Sequence, residues 1–144
     1  MIVDSSALLA ILFAEPDAPR FAAAIATARS RRVSAANWLE TAIRIDQASS
    51  ALASAAFDDL VREAELVVEP VSERQVQIAR TAYRAYGKGT GHPAGLNFGD
   101  CFAYALAKLT GERLLFKGSD FDRTDLRAVL PPDSSEEPGD VHEP

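Results

Sequence analysis

Apolar and polar positions follow one another along the chain in blocks that predict short buried strands separated by helices. The strand candidates are apolar runs that stop at or just before a polar residue or a proline. They are MIVD at 1–4, RRVS at 31–34, LVVEPV at 66–71, RLLF at 113–116 and LRAVL at 126–130. Uninterrupted apolar runs of this length are typical of parallel strands that are buried on both faces. We therefore expect an α/β fold in which a parallel β-sheet lies between layers of helices, a three-layer α/β/α arrangement.

The segments between these runs carry apolar residues at helical spacing. Ser5 and Ser6 precede the first of them as capping residues, and SERQ from Ser72 to Gln75 has the pattern of a capping box. The predicted helices span about 7–15, 18–28, 36–48, 53–64, 72–86 and 97–109. GKGTGHPAG at 87–95 is predicted to be a glycine-rich loop.

The helix predicted at 97–109 is apolar on almost every side, which is typical of a helix buried on more than one face. Its first turn nevertheless contains Asp100. Asn97 lies three residues earlier, so the pair has the spacing of a capping box and a purely structural role is open. The alternative is that Asp100 belongs to a functional site.

Three further acids occupy comparable positions. Asp4 ends the first predicted strand, Asp120 follows the strand at 113–116, and Glu40 lies in an early turn of its helix. Because ligands of open parallel sheets bind at the carboxyl ends of the strands, these acids and Asp100 are expected at one edge of the sheet. Taken singly, Asp4 also fits a helix cap, Glu40 fits a capping box with Asn37, and Asp120 fits a turn.

A cluster of carboxylates close to a core is unfavourable, because each negative charge raises the pKa of its neighbours. A hard divalent cation removes this cost, and Mg²⁺ takes carboxylate oxygens together with water. The four acids in combination therefore predict a metal site at the mouth of the sheet.

Charge and composition limit the partners. The 144 residues suffice for one domain, and the formal charge of −6 is concentrated in the tail Pro131–Pro144, which holds five acids and no Lys or Arg. The remaining chain is close to neutral, so its local basic patches decide what it binds. We expect a domain at 1–130 and a disordered acidic tail at 131–144.

No apolar run is long enough to span a bilayer, and the single Cys101 suits packing in a reducing cytoplasm.

Four segments resemble one known family. They are MIVDSSALLAILFAEPDA, NWLETAI, YGKGTGHPAGLNFGDCFAYALAK and LLFKGSDFDRTDL, and they are similar to the PIN-domain ribonuclease toxins of VapBC toxin–antitoxin pairs. The resemblance runs from Met1 to about Leu130. It implies a PIN-like fold and a toxin that is a metal-dependent endoribonuclease, silenced by a VapB-type antitoxin in the cytoplasm.

The resemblance also assigns roles to the acids. Asp4 and Asp100 would be the principal ligands of Mg²⁺ or Mn²⁺, with Glu40 and Asp120 completing the shell directly or through water. Asp122 is close to the fourth position and remains its alternative. The family's small hydroxyl residue that supports the site corresponds to Ser6 in VDSSAL.

Candidate RNA contacts are basic residues. Arg80, Arg84 and Lys88 lie four residues apart, so they share one helical face. Lys117 is a further candidate, as are Arg29, Arg31 and Arg32. A solvated basic face explains the same residues without RNA.

Apolar helical segments at Ala7–Phe13 and Ala42–Ala64 predict a homodimer. Two rival functions stay open at this stage: a PIN-like module that binds RNA or protein without cutting, and a processing nuclease that has no antitoxin.

Overall fold

The structure, a computed structural model, describes residues 1–132 of the chain. The predicted disorder of the acidic tail falls outside these residues, apart from Pro131 and Pro132. The elements in chain order are β1 (Ile2–Val3), α1 (Ser5–Leu12), α2 (Ala18–Thr27), β2 (Arg32–Ser34), α3 (Ala35–Gln47), α4 (Ala51–Glu63), β3 (Val67–Glu69), α5 (Glu73–Tyr86), α6 (Phe98–Thr110), β4 (Leu114–Leu115) and a 3₁₀ turn (Phe121–Arg123).

The strands form one parallel sheet in the order β3-β2-β1-β4. β1 is therefore central, and its two residues point to opposite faces. Ile2 packs in a core cluster with α5 and α6, whereas Val3 packs in a second cluster with α1 and α2. Leu114 and Leu115 of β4 divide between the same two clusters. The three-layer α/β/α prediction is confirmed, because the sheet is covered by helices on both faces.

The predicted last strand at 126–130 is wrong. Within residues 1–132 this segment makes only an isolated bridge between Leu114 and Ala128. Two backbone hydrogen bonds hold it, from the Leu114 N–H to the Arg127 carbonyl and from the Val129 N–H to the Leu114 carbonyl, at 3.0 and 2.9 Å. Because β4 is only two residues long, its edge is too short to pair with a full strand through a ladder of backbone hydrogen bonds.

Helix α6 is buried as predicted. Cys101 and residues 103–107 are all inaccessible or nearly so, whereas Phe98 at its start has 78% of its surface exposed and Lys108 near its end is also exposed. Burial, with a smaller contribution from Asp100, raises the pKa of the Cys101 thiol to about 11, so this cysteine stays protonated and packs as an apolar residue. Across residues 1–132, no helix has the length and apolar character needed to cross a membrane.

Candidate active site

A cavity of about 320 Å³ opens at the carboxyl edge of the sheet, where β1 and β4 end and α3 and α6 begin. The four acids singled out in the sequence all line it, although they come from four separate segments. The lining consists of Asp4, Ser5, Ser6, Leu9, Glu40, Arg44, Asn97, Asp100, Lys117, Asp120 and Phe121. The four acids that were expected at one edge of the sheet therefore lie together there.

Asp4 is fixed by the helix that it starts. It follows β1 directly and caps α1, and its Oδ2 accepts hydrogen bonds from the Ser6 N–H at 3.0 Å and the Ser6 hydroxyl at 2.5 Å. The Ser6 hydroxyl in turn accepts from the Lys117 N–H at 3.0 Å. Ser6 thus links Asp4 to the segment after β4, and it supports the position of the Asp4 carboxylate. Asp4 therefore both caps α1 and lines the cavity.

The electrostatics of Asp4 are unfavourable to a bare carboxylate. Asp4 is only 2% exposed, and its Oδ1 is buried with no hydrogen-bond partner among the described residues. Burial raises the pKa of Asp4 from 3.8 to about 7; hydrogen bonds from Ser6 oppose the rise, and the charges of Asp100 and Glu40 add to it. A cation at Oδ1 would relieve both the missing partner and the repulsion.

Asp100 combines a cap with a place in the cavity. Its Oδ2 accepts from the Asn97 N–H at 3.0 Å, and the Asn97 side-chain oxygen accepts from the Asp100 N–H at 2.9 Å, so the predicted capping box is present. Burial raises the pKa of Asp100 to about 6, against the lowering effect of the Asn97 hydrogen bond; the charges of Asp120 and Glu40 raise it further. The structural and functional interpretations of Asp100 are therefore compatible.

Glu40 is held by contacts that the sequence interpretation missed. Helix α3 starts at Ala35 immediately after β2, with Ser34 as its N-cap residue, so Asn37 lies inside the helix and the predicted Asn37 cap is wrong. The Asn37 side chain instead points inward, near the Oε1 of Glu40 at 3.5 Å. The Ser5 hydroxyl donates to the same Oε1. The spacing from Asn37 to Glu40, almost one helical turn, was the available signal.

The two alternatives for the fourth acid lie in different places. Asp120, at the start of the 3₁₀ turn, is exposed and lines the acid cavity. Asp122 lines a neighbouring cavity of about 370 Å³, which Lys117 separates from the first. Asp120 is thus the acid that the fold brings to the cavity.

Two basic residues line the same cavity. Lys117 was singled out from the sequence, and its ammonium forms ion pairs with Glu15 and, at 3.1 Å, with Asp17. Arg44 was missed, although it lies one helical turn after Glu40 on α3 and therefore on the same face. Its side chain is exposed at the rim.

The basic residues at 80, 84 and 88 lie elsewhere. Arg80 and Arg84 are exposed on α5, and Lys88 follows the end of that helix; none of them lines the acid cavity. If they contact RNA, they do so outside the acid cavity, away from the reacting group.

Three arginines of the β2 region lie at the opposite, amino edge of the sheet. The Arg31 guanidinium donates to the carbonyls of Ile25 and Ala64, and Arg32 pairs with Glu69 and Glu112 at 3.6 and 3.8 Å. Arg29 lines a separate cavity on that side. Arg31 and Arg32 therefore have protein partners at that edge, and none of the three arginines lines the acid cavity.

In the part of the chain that the structure describes, no three His, Cys, Asp or Glu side chains are arranged as a ready-made metal-binding group. The acids share a cavity without closing on a single point. A metal there would have to be held by one or two carboxylates with water filling the remaining positions, which is the usual manner of Mg²⁺.

Comparisons with known proteins agree with this geometry. The PIN domain family model matches residues 1–126. Ribonuclease VapC28 of Mycobacterium tuberculosis is 54% identical over 130 residues, which cover 90% of this chain and 98% of that protein. Ribonuclease VapC of Mycolicibacterium smegmatis is 47% identical over 129 residues, covering 90% and 99% of the two chains.

Solved structures give the same fold. The crystal structure of Mycobacterium tuberculosis VapC20, described as a sarcin-ricin loop cleaving toxin, matches with a TM-score of 0.70 at 17% identity over 90% of this chain and 98% of that one. A toxin–antitoxin complex from Klebsiella pneumoniae matches with a TM-score of 0.62 at 15% identity, covering 83% and 88%. PIN-domain nucleases are generally metal-dependent. From the family match, the high identity and the fold together, the chain belongs to the PIN-domain family and, within it, to the VapC ribonucleases.

Proposed function

We propose that this chain is the toxin of a type II toxin–antitoxin pair, an endoribonuclease that hydrolyses RNA phosphodiester bonds at the acid cavity in the cytoplasm. The observation that carries the proposal is the convergence of Asp4, Glu40, Asp100 and Asp120 on one cavity at the carboxyl edge of a PIN-type sheet. The names of the relatives, ribonucleases of the VapC group, supply the reaction class.

The residues fit a divalent cation. Asp4 has a buried oxygen with no partner among the described residues, and burial raises the pKa values of both Asp4 and Asp100. These two acids are the proposed principal ligands of Mg²⁺ or Mn²⁺, and Glu40 and Asp120 complete the shell directly or through water. A cation bound there supplies Lewis acidity and a more acidic water at neutral pH.

The side chains of the cavity are proposed to position the reacting groups and to transfer the proton. Asp4 and Asp100 hold their carboxylates at fixed positions, because each is tied to the first turn of a helix. Glu40, whose Oε1 accepts a hydrogen bond from the Ser5 hydroxyl, is the carboxylate proposed to accept the proton of the attacking water. Such a mechanism needs no His or Ser nucleophile.

RNA contacts are proposed in two groups. The basic side chains proposed to bind phosphates are Lys117 at the cavity, Arg80 and Arg84 on α5, and Lys88 just after that helix. Such contacts position the strand without specifying its sequence. An RNA phosphate near Lys117 would have to replace its present carboxylate partners. Arg44 adds a second positive charge at the rim of the cavity.

We propose a homodimer through the exposed apolar side chains of α3 and the start of α6. Leu39 and Ile43 lie one turn apart on α3 and are about half exposed, and Phe98 is more exposed still. In the segment 7–13, Ala7, Leu8 and Ala10 are core residues, whereas Phe13 is 42% exposed. Light scattering is expected to give a dimer mass for the wild type and a monomer mass for Ile43→Lys. A monomeric wild type at micromolar concentration contradicts the proposal.

The inhibitory partner is proposed to be a VapB-type antitoxin whose segment reaches the acid cavity. An Arg presented by such a segment would satisfy the carboxylates through charge-assisted hydrogen bonds and exclude the metal. Co-expression with the neighbouring antitoxin gene is expected to give a complex that does not cleave RNA.

The experiment is cleavage of end-labelled RNA by the purified chain with Mg²⁺, with Mn²⁺ and with EDTA. We expect cleavage with metal and none with EDTA. Binding of RNA without cleavage under every metal condition would favour a binding module, and cleavage with no inhibitory partner encoded beside the gene would favour a processing nuclease.

A further inference from the structure

A buried side chain next to Glu40 has a geometry that none of the proposed roles explains. Asn37 is completely inaccessible to solvent, yet it is polar and lies in the third position of α3. Its amide nitrogen donates to the carbonyl oxygen of Gly99 at 2.9 Å and lies 3.5 Å from the Oε1 of Glu40. The orientation of the amide follows from these partners, because the reverse orientation would place three acceptor oxygens together.

This orientation of the Asn37 amide leaves its side-chain oxygen, Oδ1, buried and without a hydrogen bond among the described residues. An unsatisfied buried acceptor is unfavourable, so an apolar residue would serve the packing of α3 better. The contact with Gly99 and Glu40 is therefore what distinguishes Asn at this position.

Gly99 meets Glu40 from the other side. A Cβ on Gly99 would lie 2.2 Å from the Oε2 of Glu40 and 2.9 Å from its carboxyl carbon, which is far inside contact distance. No positive φ is recorded for Gly99, which lies in the regular first turn of α6. A larger residue at 99 would therefore displace the Glu40 carboxylate, which is the far end of a flexible side chain, from its present place. The Glu40 carboxylate is seated directly against the backbone of the residue that precedes Asp100.

We infer that Asn37 and Gly99 are positioning residues that seat the Glu40 carboxylate against the head of α6 and so set its place relative to Asp100. Asn37 ties α3 to α6 by one hydrogen bond, and Gly99 leaves the space that the carboxylate fills. The inference rests on the proposed function. The placement of Glu40 relative to Asp100 matters for activity only if the cavity is a hydrolytic site in which acids from two different helices act on one phosphate. Neither residue lines the acid cavity.

The first test separates positioning from general stability. Thr41 is the matched control: it is equally inaccessible, lies one turn further along α3, and its hydroxyl donates to the Asn37 backbone carbonyl at 2.8 Å, away from the acids. Both Asn37→Ala and Thr41→Val remove one buried hydrogen-bonding side chain from α3. For RNA cleavage with Mg²⁺, we expect Asn37→Ala to lower kcat by about 10- to 100-fold with KM little changed. Thr41→Val is expected to keep its kcat. Equal kcat values for the two variants would overturn the inference.

The second test needs no activity and stands even if Asn37→Ala does not fold. Ala is a better helix former than Gly, so Gly99→Ala alone should stabilise α6 unless Glu40 is in the way. We expect Gly99→Ala to lower the Tm of the wild type and to raise it, or leave it unchanged, in Glu40→Ala. The same shift in both backgrounds would show that Gly99 and Glu40 are uncoupled and would overturn the seating of Glu40.

The two tests also distinguish this inference from the proposed function. If the chain does not cleave RNA at all, the proposed function fails while the Tm cycle still reports whether Gly99 seats Glu40. If cleavage is normal in Asn37→Ala, the positioning inference fails while the ribonuclease proposal stands.

Discussion

Replacing Asp4 by Asn tests the electrostatic description of the cavity without any substrate. Asn keeps the shape of the side chain and an oxygen that can accept the Ser6 N–H, so the cap of α1 is retained. The change removes the negative charge of a side chain that is only 2% exposed. In EDTA, where no divalent cation compensates that charge, the metal-free protein should become more stable.

The magnitude follows from the pKa of Asp4. Burial, together with Asp100 and Glu40, raises that pKa from 3.8 to about 7, and about three units at 1.36 kcal/mol each amount to roughly 4 kcal/mol. Asn puts an N–H group where the unpartnered Oδ1 lies, which costs about 1–3 kcal/mol. The net gain in the free energy of unfolding is then about 1–3 kcal/mol above pH 7.

The pH dependence has a defined sign. The folded-state pKa of Asp4 lies above its unfolded-state value, so the folded protein binds the extra proton between about pH 4 and pH 7. Ionisation of Asp4 therefore costs nothing below that window and costs the full amount above it. The advantage of Asp4→Asn should be present near pH 8 and lost near pH 4.

Urea unfolding in EDTA at these two pH values measures the effect. Asp58→Asn is the control, because Asp58 is exposed on α4 and its loss changes the net charge by the same amount. Only the Asp4 variant should gain stability near pH 8. An Asp4→Asn protein that is less stable than wild type there, or equally shifted at both pH values, would refute the electrostatic reasoning.

Other expectations concern the metal, the tail and the rim of the cavity. Mn²⁺ at a hundredfold excess over its dissociation constant should stabilise the wild type by about 2.7 kcal/mol, and Asp100→Asn should reduce the accompanying rise in Tm, measured against EDTA. Truncation after Pro132 should leave the Tm unchanged and strengthen RNA binding at low salt, since five acids are removed; a large fall in Tm would show that the tail packs. Arg44→Ala should reduce the salt dependence of RNA binding by about one counterion, as judged by titrations at several salt concentrations, whereas an unchanged slope would exclude a phosphate contact.

Much of the fold was predictable because its signals are local. Short apolar runs marked β1 to β4, and the all-apolar character of α6 indicated burial on more than one side. The strand predicted at 126–130 failed because pairing depends on the length of the neighbouring strand, which a local pattern does not report. β4 offers two residues, so the segment forms a single bridge.

The acids at the cavity were predictable, as was Ser6 beside Asp4, but the residues around Glu40 were not. Asp4 follows a strand and Asp100 begins a helix, so chain position alone places them at the same edge of a parallel sheet. A cap by Asn37 was one alternative from its spacing to Glu40, but the helix begins at Ala35, and the buried Asn37 side chain bonds to Gly99 of another helix instead. The space that glycine leaves at 99 is filled by a side chain of another helix, which no local pattern contains.

Basic residues were the weakest part of the interpretation, because charge is not tied to one position in a fold. Arg31 resembled a surface cation in the sequence, yet its guanidinium holds two backbone carbonyls at the amino edge of the sheet. Arg44 lies at the cavity, and only its spacing of four residues from Glu40 would have indicated this.

The central claim is that the acid cavity is a metal-dependent ribonuclease site, and cleavage by Asp100→Asn tests it most directly. Asn at position 100 retains an oxygen that can accept the Asn97 N–H of the capping box, so the helix start is preserved while one charge is lost. Wild type and Asp58→Asn are expected to cleave end-labelled RNA with Mg²⁺ or Mn²⁺ and to lose cleavage in EDTA, whereas Asp100→Asn should not cleave under any of these conditions. Cleavage by folded Asp100→Asn at the wild-type rate, or wild-type cleavage that survives EDTA, would contradict the claim.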